Sequence, residues 1–570
     1  MNRHSIFLLL LLLFLLQTSC QATAISRMVE DVSAADSTRP NIVFILTDDQ
    51  SYGLMGCTGN TIVQTPNLDQ LASEGILFTN AHVTSAICTP SRTSILTSQF
   101  ERKHGVNFNS GTSLAAEAWE DTYPMMLRAN GYYTGWVGKN HVPIGQGGYT
   151  SGLMEKSFDY WYAGHGHLGF YPKARHDIFD HARSDTQVEV VAEGIDDFLS
   201  NEQKLEGALH FVDQRPADAP FALSICFNLP HGAGTSSMKM RESDDEIYRT
   251  LYRDIELPLP DNYLAKEDII TPKLPASIHR AEDRQTGYNY VDTPAGVRER
   301  YTRQLQAMTG IDRLVGQIRE KLKVEGLADN TIIVFTSDHG LFMGQHGLGG
   351  KAFCYEETTH VPMIVFDPRA DVRSRGRSSD ALVQTIDIAP TLLRQAEIAI
   401  PDSYQGRDLS ALLSGRTNSV REYLFTENLW STQFGNPRCE SVQNMEWKYI
   451  RYYKNENFPA GKKIATAKEM GIPLNAMLYK VHDPDMAVYR SFVEGPLAGE
   501  PAVYEELFHL TSDPEEVRNL AQAPDHTARL AAMRAVWKQA IVQARGTGKP
   551  RVIRYTSDSE AERGVLIEPK

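Results

Sequence analysis

Two stretches of this chain end an apolar run in clustered acids. Asn41-Ile-Val-Phe-Ile-Leu46 runs into Thr47-Asp48-Asp49-Gln50, and Thr331-Ile-Ile-Val-Phe335 runs into Thr336-Ser337-Asp338-His339-Gly340. Apolar runs of this length read as strands buried on both faces of a parallel sheet. Open α/β sheets bind ligands beyond the carboxyl ends of such strands. Carboxylates gathered there repel one another unless a cation lies between them, and oxygen ligands suit Ca²⁺ or Mg²⁺. A single Asp after a strand more often caps a turn; two matched sites favour the metal. A third feature is Cys88-Thr-Pro-Ser-Arg92. Most free cysteines are buried filler, but here the neighbours are small and polar, Pro90 keeps Thr89 extended, and a helix starts just after. A helix N-terminus with Arg92 one turn on is an anion site. A thiolate, or an oxygen nucleophile derived from it, would face that anion.

The elements that must position these residues are legible in outline. Thr65, Pro66, Leu68, Leu71 and Gly75 mark a short capped helix. Further strand-like runs lie at Tyr133–Val137, Pro220–Phe227 and Val361–Phe366, with helical stretches at 120–130 and 301–325 between them. This alternation predicts an α/β fold, a large mostly parallel sheet sandwiched by helices. The stretches 142–185 and 232–300 are polar and poorly periodic, and read as insertions over the active face. From 426 the texture changes. Short strands at Trp447–Tyr452 and Leu507–Leu510 precede a helix carrying Leu530, Met533, Trp537 and Ile541, a smaller C-terminal α+β domain. The division expected is a signal peptide at 1–24, a linker to 39, a catalytic domain at 39–425, the C-terminal unit at 426–546, and a polar peripheral tail at 547–570.

Several motifs in order along the chain carry a resemblance. Cys88-x-Pro-Ser-Arg92 resembles the signature of the type I, formylglycine-dependent sulfatases of the alkaline-phosphatase-like superfamily. Gly131-Tyr-Tyr-Thr-Gly-Trp-Val-Gly-Lys139-Asn-His141 is similar to the second signature of that family, and Phe227-Asn-Leu-Pro-His231 to its sulfate-binding histidine segment. Ser337-Asp338-His339-Gly340 with Gly347-Leu-Gly-Gly-Lys351 resembles its third segment, and Glu506-Leu-Phe-His-Leu-Thr-Ser-Asp513 with Asn519-Leu520 its ending. The resemblance spans residues 41 to about 520.

It implies that Cys88 is oxidised to formylglycine (3-oxoalanine) by a separate formylglycine-generating enzyme, and that the aldehyde hydrate is the nucleophile. Asp48, Asp49, Asp338, His339 and the modified Cys88 would hold one divalent cation, Ca²⁺ by family habit. Arg92 would fix the hydrate, Lys139 and Lys351 would contact sulfate oxygens, and His231 with Lys351 would protonate the leaving alkoxide. His141 would deprotonate the second hydroxyl of the hydrate. Two departures stand out: many relatives have Asn where this chain has His339, and Gly where it has Ser98 after Leu96-Thr97. The chemistry is coherent, since preorganised positive charge offsets the repulsion between sulfate and nucleophile and a covalent intermediate divides the reaction.

Composition sets limits on the rest. The chain has 570 residues, 42% of them hydrophobic and 22% charged, and a net charge of −14. That excludes disorder and a polytopic membrane protein, and the acidic balance disfavours nucleic acid. Averaged charge does not exclude an anionic substrate in a locally positive pocket. Arg3 and His4 precede an apolar run from Ile6 to Leu16, too short to span a bilayer but suited to a signal peptide. Export is therefore expected, to the periplasm or outside. Cleavage falls after Ala24 or before Cys20, and only the latter gives a lipid anchor. The six cysteines are too few for a disulfide framework, and Cys226 and Cys354 read as inert core thiols. The function expected is hydrolysis of sulfate esters on a carbohydrate. The alternatives are a phosphonate monoester or phosphodiester hydrolase of the same superfamily, or a non-catalytic binder of sulfated glycans. The cluster His165, His167, Arg175, His176 is set against solvated loop polarity, and the aromatics Phe158, Tyr160, Trp161, Tyr162 against core packing, as substrate contacts.

Overall fold

The computed structural model describes residues 39–554 except 108–111, 146–147, 149–150, 166–168, 171–193, 196–204, 232–244, 272, 276–277, 279–287, 430–437, 454–493 and 549. The signal peptide, Cys20, His167, Arg175 and His176 lie outside the described residues. Nine strands form the main sheet: β1 (Asn41–Asp48), β2 (Ile76–Phe78), β3 (Tyr133–Lys139), β4 (Tyr160–His165), β5 (Gly169–Phe170), β6 (Phe221–Pro230), β7 (Thr331–Ser337), β8 (Met363–Phe366) and β9 (Arg377–Ser379). Their order is β9-β2-β8-β7-β1-β6-β3-β4-β5. Five of the eight pairings are parallel, so the mostly parallel expectation holds; the antiparallel ones involve β8 and β5.

The strand β1 lies between β6 and β7, with Ile42 opposite Ala222 and Ile332. All eight of its residues are buried. Its alternate side chains enter two different cores, as the strand period requires. Val43 and Ile45 pack with Leu305, Met308, Ile311 and Val315 of α4 (Pro294–Val324). Ile42, Phe44 and Leu46 pack with Ile95 and Leu96 of α2 (Cys88–Thr97) and with Leu127 of α3 (Tyr123–Ala129). Helices therefore cover both faces, and the acids after β1 and β7 emerge together at one edge of the sheet.

Four local expectations are corrected. Thr65 precedes α1 (Pro66–Glu74), but its hydroxyl makes no cap bond; it accepts from the Gly56 amide at 2.8 Å instead. The helix α4 begins at Pro294, inside the stretch read as an insertion, because Thr293 caps it by accepting from the Gly296 amide at 3.1 Å. The strand β4 also lies in a supposed insertion and extends the main sheet beside β3. There Phe158 packs against Trp119, Trp136 and Trp161, and Tyr162 joins the core, so these aromatics are packing residues. In the tail, Val552–Arg554 pairs with Thr112–Leu114 rather than lying free of the fold.

The C-terminal unit is a four-stranded antiparallel sheet, β10 (Leu424–Asn428), β11 (Arg438–Gln443), β12 (Trp447–Tyr453) and β13 (Tyr504–His509), with α5 (Thr527–Arg545) on one face. The residues Leu530, Met533, Trp537, Ile541 and Ala544 follow helical spacing and pack on Phe425, Val442, Tyr449 and Leu507. The opposite face, with Cys439, Ile450, Tyr452 and Phe508, covers Phe342, Leu348, Phe353, Cys354 and Tyr355. This second face thus supports the segment that carries Lys351.

Candidate active site

Neighbouring strand residues point to opposite faces, so two consecutive acids would not meet on a regular strand. At Asp49 the backbone turns left-handed (φ 64°), a conformation Asp tolerates better than most residues. The turn lets both carboxylates face the same space. Ligand atoms of Asp48, Asp49, Cys88 and His339 all lie within 4.8 Å of one another, and all four residues are buried. The paired strands lock the two acid turns together: the Asp338 amide donates to the Thr47 carbonyl at 3.1 Å, and the Gln50 amide to Ser337 Oγ at 3.0 Å. Asp338 stands slightly apart from the other acids. Its Oδ1 accepts from the Asp49 amide at 3.3 Å, and its Oδ2 from Arg92 Nε at 2.7 Å.

Cys88 is the first residue of α2, whose ten residues are all buried. Its Sγ lies 3.5 Å from Asp48 Oδ1, 3.2 Å from His339 Nε2 and 3.0 Å from Lys351 Nζ. Arg92, one turn on, reaches three strand ends. Besides Asp338 it donates to the carbonyls of Lys139 at 3.3 Å and Phe227 at 3.4 Å. Its guanidinium therefore braces β3, β6 and β7 at the edge where the site opens. Burial opposes its charge, yet Asp338 and Asp48 outweigh that and hold its pKa above the ordinary value.

Lys139 ends β3 and pairs with Asp48, and Lys351 Nζ donates to Asp49 Oδ1 at 2.9 Å. Gly138 makes the first of these possible: it has φ 96°, and a Cβ there would lie 2.0 Å from the Cys226 carbonyl oxygen. His141 is buried two residues beyond Lys139, also left-handed at φ 50°. His231 follows β6 directly, with Nε2 3.7 Å from Asp49 Oδ2. Burial, then the charges of Lys351, Lys139 and Arg300, hold its pKa well below the ordinary imidazole range. His339 goes the other way. Burial disfavours its charge, but Asp338 and Cys88 outweigh burial and raise it to about 9. For Asp338 burial acts upward, and His339, Arg92 and Lys139 together bring it to about 2. Opposite charges thus interleave through the site.

A divalent cation fits this cluster. Asp49 Oδ2 is buried with no hydrogen-bond donor among the described residues, an unmet acceptor of the kind a metal satisfies. Two aspartates, a further Asp one bond away and one imidazole form a largely oxygen-donor set, hard in character. The Cys88 sulfur is the soft exception, and an oxygen in its place makes the set suit Ca²⁺ or Mg²⁺ better.

The sequence missed three neighbours. Tyr288 and Tyr290 stand close enough to Asp49 and Lys351 for their hydroxyl pKa values to feel those charges, after the dominant upward effect of burial. Arg300 donates to the His231 carbonyl at 2.8 Å. None belongs to a motif, and Arg300 is separated from His231 by 69 positions. Only its placement in a helix, as a charge amid a buried face, could have drawn attention to it.

Comparison with known proteins agrees with this geometry. The sulfatase family model matches residues 40–398, and that of the C-terminal part of N-sulphoglucosamine sulphohydrolase matches residues 344–460. The chain is 26% identical over 479 residues to an N-acetylglucosamine-6-O-sulfatase of Bacteroides thetaiotaomicron, covering 74% of this chain and 80% of the relative. A protein solved in complex with its substrate D-glucosamine-2-N,6-O-disulfate superposes with a TM-score of 0.61 at 20% identity, over 89% of this chain and 98% of that one. A phosphonate monoester hydrolase of Agrobacterium radiobacter shares the fold equally well, with a TM-score of 0.61 at 19% identity over 88% and 96% of the two chains. With 359 of its 570 residues matched by the family model and the buried acids, cysteine and lysines gathered at one sheet edge, the chain belongs to the sulfatase family and is a sulfuric ester hydrolase of the alkaline-phosphatase-like superfamily.

Proposed function

We propose that the enzyme is exported and hydrolyses sulfate esters of a sulfated carbohydrate, either a polysaccharide or oligosaccharides derived from it. The observation that carries the reading is the position of Cys88, at the start of a buried helix and in contact with Asp48, His339 and Lys351 at once. Asp48, Asp49, Asp338 and His339 would hold Ca²⁺, which when bound withdraws charge from a sulfate oxygen. Cys88, converted to formylglycine, would supply an oxygen nucleophile and a second hydroxyl for release of the product.

The chain's own residues do the rest. Lys139 and Lys351, now turned onto Asp48 and Asp49, supply ammonium groups for the sulfate oxygens once a cation neutralises the carboxylates. Arg92 stays on Asp338 and keeps the nucleophile's surroundings positive. His231, next to the acids but 19% exposed, is held neutral by burial and by Lys351, which supports a role shared with the Lys351 ammonium in delivering a proton to the leaving oxygen on the solvent side. His141 is proposed as the base acting on the nucleophile's second hydroxyl. The carbohydrate assignment rests on the relative that acts on N-acetylglucosamine 6-sulfate and on the apolar export segment at Ile6–Leu16.

The test is desulfation of a panel of sulfated oligosaccharides, with the position of the freed hydroxyl read by NMR, beside a phosphonate monoester and a phosphodiester. Release of sulfate from a sugar position is the expected result. A many-fold preference for the phosphorus esters would move the enzyme to the hydrolases that share its fold. Binding of the panel without turnover, by protein carrying the modified Cys88, would make it a glycan binder.

A further inference from the structure

Arg300 lies on α4, on the side of the helix that meets the end of β6, and is fully buried. Its Nη2 donates to the carbonyls of His231 at 2.8 Å and Pro230 at 3.3 Å. Its guanidinium sits over the Tyr290 ring, 5.2 Å from the centroid. Nε and Nη1 are buried with no hydrogen-bond partner among the described residues. A buried guanidinium satisfied on one nitrogen is costly, and an apolar side chain of similar length would fill the space without that cost. Leu305, Met308, Ile311 and Val315 of α4 pack with Val43 and Ile45 of the sheet. What Arg300 adds is a grip on the main chain. His231 is the first residue beyond β6, so the strand ladder does not fix its carbonyl, and Arg300 does.

Resting on the sulfatase reading above, we propose that Arg300 is a positioning residue that holds the His231 backbone so that the imidazole meets the leaving-group oxygen. It touches neither substrate nor nucleophile in this role; it acts through His231. Its effect must therefore grow with the leaving group's need for a proton. An aryl sulfate such as 4-nitrophenyl sulfate expels a stable phenolate, whereas a sugar sulfate expels an alkoxide that must be protonated.

The experiment compares wild type, Arg300→Met, Arg300→Lys, His231→Ala and the Arg300→Met/His231→Ala double variant on 4-nitrophenyl sulfate and on the sugar sulfate that wild type cleaves best. Arg300→Met should lower kcat on the sugar sulfate by about 10²-fold with KM little changed, and on the aryl sulfate by less than about 5-fold. Arg300→Lys, keeping a cationic donor group, should recover part of the loss. The double variant should be no slower than His231→Ala, since the two residues act as one unit. Equal losses on both esters, or additive losses in the double variant, would overturn the proposal. If Arg300→Met fails to fold by circular dichroism, the same split in Arg300→Lys decides. Wild type inactive on every sulfate ester would instead sink the functional reading itself.

Discussion

The acids, the cysteine and the lysines act as a charge-balanced set. Cys88→Ala should reduce turnover by at least about 10³-fold, the scale on which covalent nucleophiles contribute. It should barely move thermal unfolding, because a small buried group replaces another. Intact mass of the wild-type chain checks the premise: conversion of Cys88 to an aldehyde removes the sulfur. Metal removal gives a second prediction. Chelation should abolish turnover and lower Tm, and Ca²⁺ should restore both. Saturation at 100 times Kd stabilises the fold by about 2.7 kcal/mol. Asp49→Asn should blunt the Ca²⁺-dependent rise in Tm, whether or not activity is measured. At this scale the sequence was informative. Of the five residues it offered as cation ligands, Asp48, Asp49, Cys88 and His339 have ligand atoms within one 4.8 Å group, and Asp338 is not in that group. It could not show that Asp338 turns one oxygen to Arg92, because that choice depends on a side chain from another element.

The helix α2 illustrates what elements add. Its buried polar residues are matched one by one: Thr93 and Thr97 hydroxyls donate to carbonyls four residues back at 2.8 and 2.7 Å, and Ser94 Oγ meets His104 Nε2 at 3.0 Å. His104 Nδ1 accepts from the Val106 amide at 3.0 Å, which assigns the proton of the neutral ring to Nε2. Burial holds its pKa down at about 3. The unfolded chain takes up this proton near pH 6.5, the folded chain only near 3. Between those values the unfolded state binds more protons, so stability is full above pH 6.5 and is lost as pH falls toward 3. The loss is on the order of 5 kcal/mol at ~1.4 kcal/mol per pKa unit. His104→Asn should be less stable at pH 7, yet show a shallower decline from pH 7 to 4 by urea denaturation. Nothing in the spacing of His104 announced this; a lone histidine near a helix end reads as a surface residue until its burial is seen.

The large sheet and the C-terminal sheet are joined through buried charge as well as apolar packing. Arg102, fully buried, pairs with Glu427 of β10 and Glu440 of β11, and Glu440 also accepts from Trp537 Nε1 of α5 at 2.7 Å. Arg102→Ala leaves two carboxylates buried without their cation and should destabilise the protein by about 3–5 kcal/mol, read from the denaturation midpoint. Arg102 lies fourteen residues after Cys88 in the chain, and β11 and β12 cover the segment bearing Lys351. The variant should therefore also lose activity well below its unfolding temperature.

The chain by itself determined the fold class and the chemical identities of the site. Strand and helix periods are local properties, and the acids, the cysteine and the lysines that gather at the site are recognisable by type and order. Long, regular apolar runs such as β1 and β7 were legible because burial on both faces leaves no polar positions. Strand β4 and the pairing of Val552–Arg554 were not, since each depends on a partner elsewhere in the chain, and the start of α4 rests on a single local Thr293 cap within a polar stretch. Only the tertiary structure decided that a left-handed turn at Asp49 brings two adjacent carboxylates together, that Arg92 braces three strand ends, and that Arg300 reaches the His231 backbone. These are distances between elements, set by how sheet and helices pack, and no spacing along the sequence encodes them.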